Sequence, residues 1–293
     1  MKKTAIALGF FDGVHLGHQR ILRETAALAA RQGLQSAAVT FENQPRAFLT
    51  QKPAALLTPG PLRRELILQQ GIECVHLLPF DARMAQMPPE DFVRDVLMAQ
   101  YGCGAVVCGE NYTFGARGIG DGRLLERLGR TWGFDVQVCP PVVREQRTVS
   151  SSWIRELVAA GDIGRARALL GHDYVLRGTV IHGRGVGRKL GFPTGNIELH
   201  PDLLPPRYGV YAAWLRTGAG VWPAAINIGV RPTFGLTRPV VEFNILDFSG
   251  DLYDAEVELS LVEFIREERA FGTAAALTDQ IARDVARVKE ILQ

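Results

Sequence analysis

The hydrophobic period of this chain changes near residue 171, and that change constrains the fold more than any other feature of the sequence. Before it, short apolar runs alternate with amphipathic helical segments. Strands are predicted at Thr4–Phe10, Gln35–Phe41, Glu73–Leu78, Gly104–Cys108 and Phe134–Val138, with helices at His18–Gln32, Leu62–Gln70, Pro89–Gln100 and Asp121–Trp132 between them. Buried apolar strands separated by helices specify a parallel sheet with right-handed crossovers. Ligands of such sheets bind beyond the carboxyl ends of the strands. After the change, strand-like segments follow one another without helices: Tyr174–Ile181, Gly209–Leu215, Pro223–Ile228, Pro239–Leu246 and Ala255–Val262. Val257, Leu259 and Leu261 alternate with Glu256, Glu258 and Ser260, the period of a half-buried antiparallel strand. Such strands predict a small closed antiparallel β-barrel. A helix from about Thr278 sets Ile281, Val285, Val288 and Leu292 on one face to cover it. The expected fold class is therefore α/β plus β. A parallel-sheet domain is expected over residues 1–171, including bridging helices Ser152–Ala160 and Gly164–Leu170, and a barrel domain with a terminal helix over 172–293.

A formal net charge of +2 gives no footprint for a nucleic-acid or membrane partner, so neither is expected. The opening Met-Lys-Lys-Thr-Ala-Ile-Ala has the look of a secretory leader. Asp12, Gly13 and His15 interrupt its apolar run early, and no small-residue cleavage site follows, so it reads as a first strand. No apolar run approaches the length of a transmembrane helix. Cys74, Cys103, Cys108 and Cys139 form no Cys-x-x-Cys pair, and the expectation is free thiols packed in a reducing cytoplasm.

Gly9-Phe10-Phe11-Asp12-Gly13-Val14-His15-Leu16-Gly17-His18 follows the first strand and opens the first helix. N–H groups at a helix start lack intrahelical partners, and the helix dipole adds positive potential, so the junction is a natural phosphate seat. His15 and His18, three apart, are placed to face one anion. A plain strand-to-helix turn with surface histidines fits the same residues. Zinc would need two or three further ligands, and nothing nearby supplies them. Other loops at the expected carboxyl end carry polar groups as well: Thr40-Phe41-Glu42-Asn43-Gln44-Pro45-Arg46, Gly109-Glu110-Asn111-Tyr112-Thr113-Phe114-Gly115 and Ser150-Ser151-Ser152-Trp153-Ile154-Arg155. Each alone reads as a turn or a cap; together they form a coherent phosphate site, with Arg155 offering a bidentate fork.

The barrel half has its own phosphate equipment. His182-Gly183-Arg184-Gly185-Val186-Gly187-Arg188-Lys189-Leu190-Gly191 combines glycines with cations, and Phe192-Pro193-Thr194-Gly195-Asn196 adds hard oxygen ligands of the kind Mg²⁺ takes beside substrate phosphates. Alternation along Pro239–Leu246 sets Glu242 and Asn244 on one face, so Glu242 is either a base for a substrate hydroxyl or an exposed strand carboxylate.

These motifs, in this order, resemble the bacterial bifunctional riboflavin kinase/FMN adenylyltransferase family, also called FAD synthetase. Gly-Phe-Phe-Asp-Gly-Val-His-Leu-Gly-His resembles the His-x-Gly-His signature of nucleotidylyltransferases in its FMN adenylyltransferase branch. Gly187 to Asn196 is similar to the riboflavin kinase motif Gly-Arg-x-Leu-Gly-x-Pro-Thr-Ala-Asn, with Gly195 in place of Ala. The resemblance implies a Rossmann-like nucleotidylyltransferase domain followed by a riboflavin kinase barrel. It implies ATP-dependent phosphorylation of riboflavin to FMN, then adenylylation of FMN to FAD with release of pyrophosphate. His15, His18 and Glu242 are the implied catalytic residues. Gly9, Phe11, Asp12, Gly13, Asn111, Ser151 and Arg155 are the implied ligands of the adenylylation site, and Gly187, Arg188, Gly191, Pro193, Thr194 and Asn196 those of the kinase site. Thr194 and Asn196 are also the implied Mg²⁺ ligands, with ATP as co-substrate and riboflavin and FMN as small-molecule partners. Three further positions depart from the family pattern. Asn43-Gln44-Pro45 stands where Pro-His-Pro is usual, Asn244 where His is usual, and Asp254 where Gly is usual.

Overall fold

Five short strands form the first sheet: β1 (Thr4–Leu8), β2 (Gln35–Phe41), β3 (Cys74–Leu78), β4 (Cys103–Gly109) and β5 (Asp135–Cys139). The computed structural model describes residues 3–52, 55–182, 194–233, 236–248 and 250–293. All pairings in this sheet are parallel, in the order β3-β2-β1-β4-β5. Every residue of β1 is buried, because both faces are covered. Ile6 and Leu8 pack with Phe92, Val93, Val96 and Leu125 on one face. On the other face Ala7 meets Leu22, Leu66 and Ile67, and Ala5 meets Leu28 and Ala29. Strand order reverses between β1 and β4, so the loops after these two strands open a crevice at the carboxyl edge, where doubly wound sheets bind ligands.

Helix α1 (Leu16–Gln32) starts at His15 and stops at Gly33, whose φ of 67° closes the last turn. Residues predicted as one helix over Pro89–Gln100 instead form a short α-turn, Pro89–Asp91, followed by a π-wound stretch, Phe92–Gln100. The wider winding keeps Phe92, Val93, Val96 and Leu97 buried. All four cysteines are free, and Cys103, Cys108 and Cys139 are buried in the core. Burial pushes the Cys103 and Cys108 thiols up to about 12, so both are inert at neutral pH.

After the small hairpin β6 (Val143–Arg144) and β7 (Arg147–Thr148), the chain runs through helices Ser151–Ala160 and Ile163–Leu170 into six more strands. These are β8 (Tyr174–Ile181), β9 (Gly195–Glu198), β10 (Gly209–Thr217), β11 (Gly220–Thr233), β12 (Leu236–Ile245) and β13 (Glu256–Arg266). They close into an antiparallel barrel in the order β10-β11-β12-β9-β8-β13, with β13 returning to β10. One barrel strand escaped the sequence reading, as did the two-residue strands β6 and β7. At four residues, beginning with a glycine, β9 is too short to show a period. Ile228, Val241, Ile197 and Val180 form one buried row across four strands, so their neighbours along each strand point away from the barrel core. The terminal helix, Ala274–Ile291, begins at the cap Thr273, earlier than predicted. Val288 packs it against Ala212 and Leu246, and the Arg266 guanidinium grips Asp284 through Nε to Oδ1 at 3.0 Å and Nη2 to Oδ2 at 2.7 Å. The chain divides into two compact units, Met1–Ser151 and Ser152–Gln293.

Candidate active sites

In the first unit the backbone leaving β1 is tightly wound. Phe11 has φ of 55° and Val14 φ of 36°, both unusual for residues with a Cβ, and Gly13 has φ of 82°. Phe11 and Val14 are fully buried, so packing holds a strained turn of the kind that clusters at ligand sites. Asp12 anchors it. Its carboxylate Oδ1 accepts the N–H groups of Leu57 and Thr58 at 2.9 and 3.0 Å, and the Thr58 hydroxyl accepts the Gly13 N–H at 2.9 Å. The Ser151 hydroxyl donates to the Asp12 carbonyl at 2.9 Å. Gly9, Phe11, Asp12, Gly13 and Ser151 are thus drawn into one loop around the start of α1.

The histidines meet there. His15 is the N-cap of α1, and its ring stacks on that of His18 with centroids 3.7 Å apart and planes 18° from parallel. Burial, the His15 ring and the Arg63 guanidinium all hold the His18 pKa well below its ordinary value, so His18 is a neutral hydrogen-bonding group at pH 7. Its Nδ1 is buried without a hydrogen-bond partner. Asn111 lies exposed just beyond β4, in a turn closed by the Tyr112 N–H on the Gly109 carbonyl at 3.0 Å. Beyond β2, Asn43 exchanges two hydrogen bonds with the backbone of Phe80, each 2.9 Å, and Gln44 precedes the short helix Pro45–Thr50. Arg155 lies in helix Ser151–Ala160 within the second unit, half-buried.

Sequence reasoning missed Arg63. It is 0% exposed, in helix Gly60–Leu68. The available signal was its place three and four residues before Leu66 and Ile67, on the buried face of a helix. A charge on that face calls for an explanation.

In the second unit the site is a register row. Glu242 on β12 pairs with Asn196 on β9 and with Asn227 on β11. All three therefore share one face, opposite the buried row through Val241. The Thr194 hydroxyl donates to Glu242 Oε1 at 2.8 Å, fixing the carboxylate while leaving the hydroxyl lone pairs available to a cation. Asn196 is 2% exposed, and its Oδ1 is buried without a hydrogen-bond partner. Asn227 on the same row donates its amide N–H to Glu268 at 2.9 Å. Gly187, Arg188, Gly191 and Pro193 lie outside the described residues.

Two family models account for both halves. One described as FAD synthetase matches residues 1–153, and one described as riboflavin kinase matches residues 170–292. The bifunctional riboflavin kinase/FMN adenylyltransferase of Listeria monocytogenes is 34% identical over 283 residues, covering 95% of this chain and 89% of that protein. The chain belongs to the bifunctional riboflavin kinase/FMN adenylyltransferase family. The protein of that name from Pseudomonas fluorescens is 35% identical over 291 residues, covering 97% of this chain and 91% of that protein. A solved structure described as a macrolide-efflux protein from Streptococcus pneumoniae superposes with a TM-score of 0.89 at 27% identity, covering 98% of this chain and 94% of that one. Among the described residues, no helix is long and apolar enough to cross a membrane.

Two departures from the usual pattern of riboflavin kinase/FMN adenylyltransferases have a physical basis here. Gly195 pairs with Phe243, and a Cβ at Gly195 would stand 2.3 Å from the Phe243 ring. The smaller residue on β9 thus accommodates the larger one on β12. Gly195→Ala should lower stability by about 1–3 kcal/mol through overpacking. It should also depress FMN formation by displacing Thr194 and Asn196. Thermal melts and a kinase assay check both, and an unchanged melt would refute the packing argument. Asp254 has φ of 63°, the left-handed region in which glycine is at ease and Asp is tolerated. Asp254→Gly should therefore be nearly neutral, within about 1 kcal/mol in a denaturant titration.

Proposed function

We propose that the row of Thr194, Asn196 and Glu242 phosphorylates riboflavin and that the His15–His18 turn adenylylates the product. The observation that carries the kinase half is the pairing of a fixed carboxylate with an unsatisfied hard oxygen. Glu242 is oriented by Thr194, and the buried Asn196 Oδ1 beside it has no partner of its own. This donor set fits Mg²⁺, which prefers a few protein oxygens together with substrate phosphates. Thr194 and Asn196 would hold the ion, which would neutralise charge on the ATP phosphates. Glu242 would accept the proton of the riboflavin 5′-hydroxyl as that oxygen attacks the γ-phosphorus, giving FMN and ADP.

At the other site no nucleophile of the protein is required. The FMN phosphate attacks the α-phosphorus of a second ATP, pyrophosphate leaves, and the chain supplies alignment and charge stabilisation. The neutral His18 and its stacked partner His15 would donate hydrogen bonds to the phosphates, the strained Phe11–Val14 turn would carry them, and Asn111 would add a polar contact. Free thiols, three of them buried, and near-neutral charge support work in the cytoplasm on small molecules, without a nucleic-acid or membrane partner. Chromatography of flavins after incubation with riboflavin, ATP and Mg²⁺ tests the whole reading. FMN followed by FAD is expected, and absence of product from both riboflavin and added FMN would overturn it.

A further inference from the structure

Five buried side-chain polar atoms among the described residues lack a hydrogen-bond partner, and two of them, Nε and Nη1, belong to Arg63. A third is His18 Nδ1. Orphaned buried donors are rare enough that each asks for a reason. Arg63 Nη2 donates to the carbonyls of Phe41 at 2.5 Å and Glu42 at 3.3 Å, at the end of β2. Its guanidinium carbon lies 4.4 Å from the centre of the Phe10 ring, just beyond β1. The side chain therefore joins the carboxyl ends of two neighbouring strands, at the edge where this sheet binds ligands. Burial lowers the Arg63 pKa from its ordinary value, and Asp12 partly offsets this, its carboxylate being engaged by the backbone of Leu57 and Thr58.

We infer that Arg63 is a positioning residue for adenylyl transfer, a fixed buried cation that holds the end of β2 and sets a positive potential behind the His15–His18 pair. The inference rests on the adenylyl-transfer reading above. Adenylyl transfer builds negative charge on the α-phosphate and the departing pyrophosphate. His18 resists protonation, because it is buried and the His15 ring is stacked on it. A guanidinium stays charged where an imidazole does not, and a charge away from water acts strongly without reorganising. The division of labour follows: the histidines supply directional hydrogen bonds, and Arg63 supplies the charge. With no exposed surface, Arg63 acts through its neighbours rather than by touching substrate.

Arg63→Lys keeps the charge and loses the fork; Arg63→Met keeps the bulk and loses the charge. In the full chain, Arg63→Met should lower kcat for FAD formation from FMN by about 10- to 100-fold with little change in KM, while Arg63→Lys stays within about fivefold of wild type. Riboflavin phosphorylation by the same preparations should be unchanged and reports intact protein. Equal losses in the two variants, or wild-type kcat in Arg63→Met, would overturn the inference. Should the Met variant fail to fold, NMR titration of the wild-type His18 ring decides. Buried, with His15 stacked on it and Arg63 behind, and Asp12 the carboxylate coupled to Arg63, His18 should not protonate near its ordinary value of about 6.5. Ordinary titration would mean no such potential exists. A wild-type chain that makes no FAD from FMN would remove the underlying activity assignment, a result distinct from an active wild type with an equally active Arg63→Met.

Discussion

His18→Ala should reduce FAD formation from FMN by about 10²- to 10³-fold, the usual cost of deleting a preorganised donor at a centre of developing charge. FMN formation from riboflavin should be unaffected, because Thr194, Asn196 and Glu242 belong to a different unit of the chain. Chromatography of both flavins from a single incubation gives the answer. Equal loss of both activities in a folded variant would refute the assignment of one site to each unit. The substitution also has a pH signature. Folded His18 has a lowered pKa, so below about 6.5 the unfolded chain binds a proton that the folded chain refuses. Stability contributed at higher pH is therefore lost as pH falls through that window. Melts of wild type should decline from pH 7 to pH 5, and His18→Ala should lose less over the same interval.

Glu242→Gln should show the opposite pattern. The amide keeps the shape and still accepts from the Thr194 hydroxyl, but it is a far poorer base. FMN formation should fall by about 10²- to 10⁴-fold in kcat, with riboflavin KM little changed, while added FMN is still converted to FAD. Retention of wild-type kcat would mean that the proton goes elsewhere. Because Gln is nearly isosteric on a half-buried strand position, a collapse of the melting temperature is not expected, and kinetic loss here reports chemistry.

The two architectures were legible because their periods differ. The β1 to β5 alternation with helices, and the Val257-Leu259-Leu261 period in β13, each admit few folds. The glycine and histidine motif of residues 9–18 falls between the first strand and the first helix, as its sequence context predicts. What escaped was information carried across strands. β9 is four residues long and acquires its meaning from pairing with β12, so no local pattern announces it. The place of Asn227 beside Glu242 is set by register and not by any local pattern. Arg63 sits in a helix whose apolar spacing is sound, and only burial shows that the cation faces inward. The π-wound stretch after Pro89 keeps the same residues buried that an α-helix would, so hydrophobic spacing does not distinguish the two.

The alignment of Asn227, Glu242 and Asn196 across β11, β12 and β9 makes the kinase unit intolerant of a particular kind of genetic change. Inserting or deleting a single residue within β12 shifts its pairing by one and turns each side chain through the sheet. Glu242 would then point among Ile228, Ile197 and Val180, and Val241 or Phe243 would take its place outside. Substitutions can tune this catalyst one atom at a time. Length variation within the strand has no such gradation, so lineages of this chain are expected to vary in length in the connections between strands and never within this one.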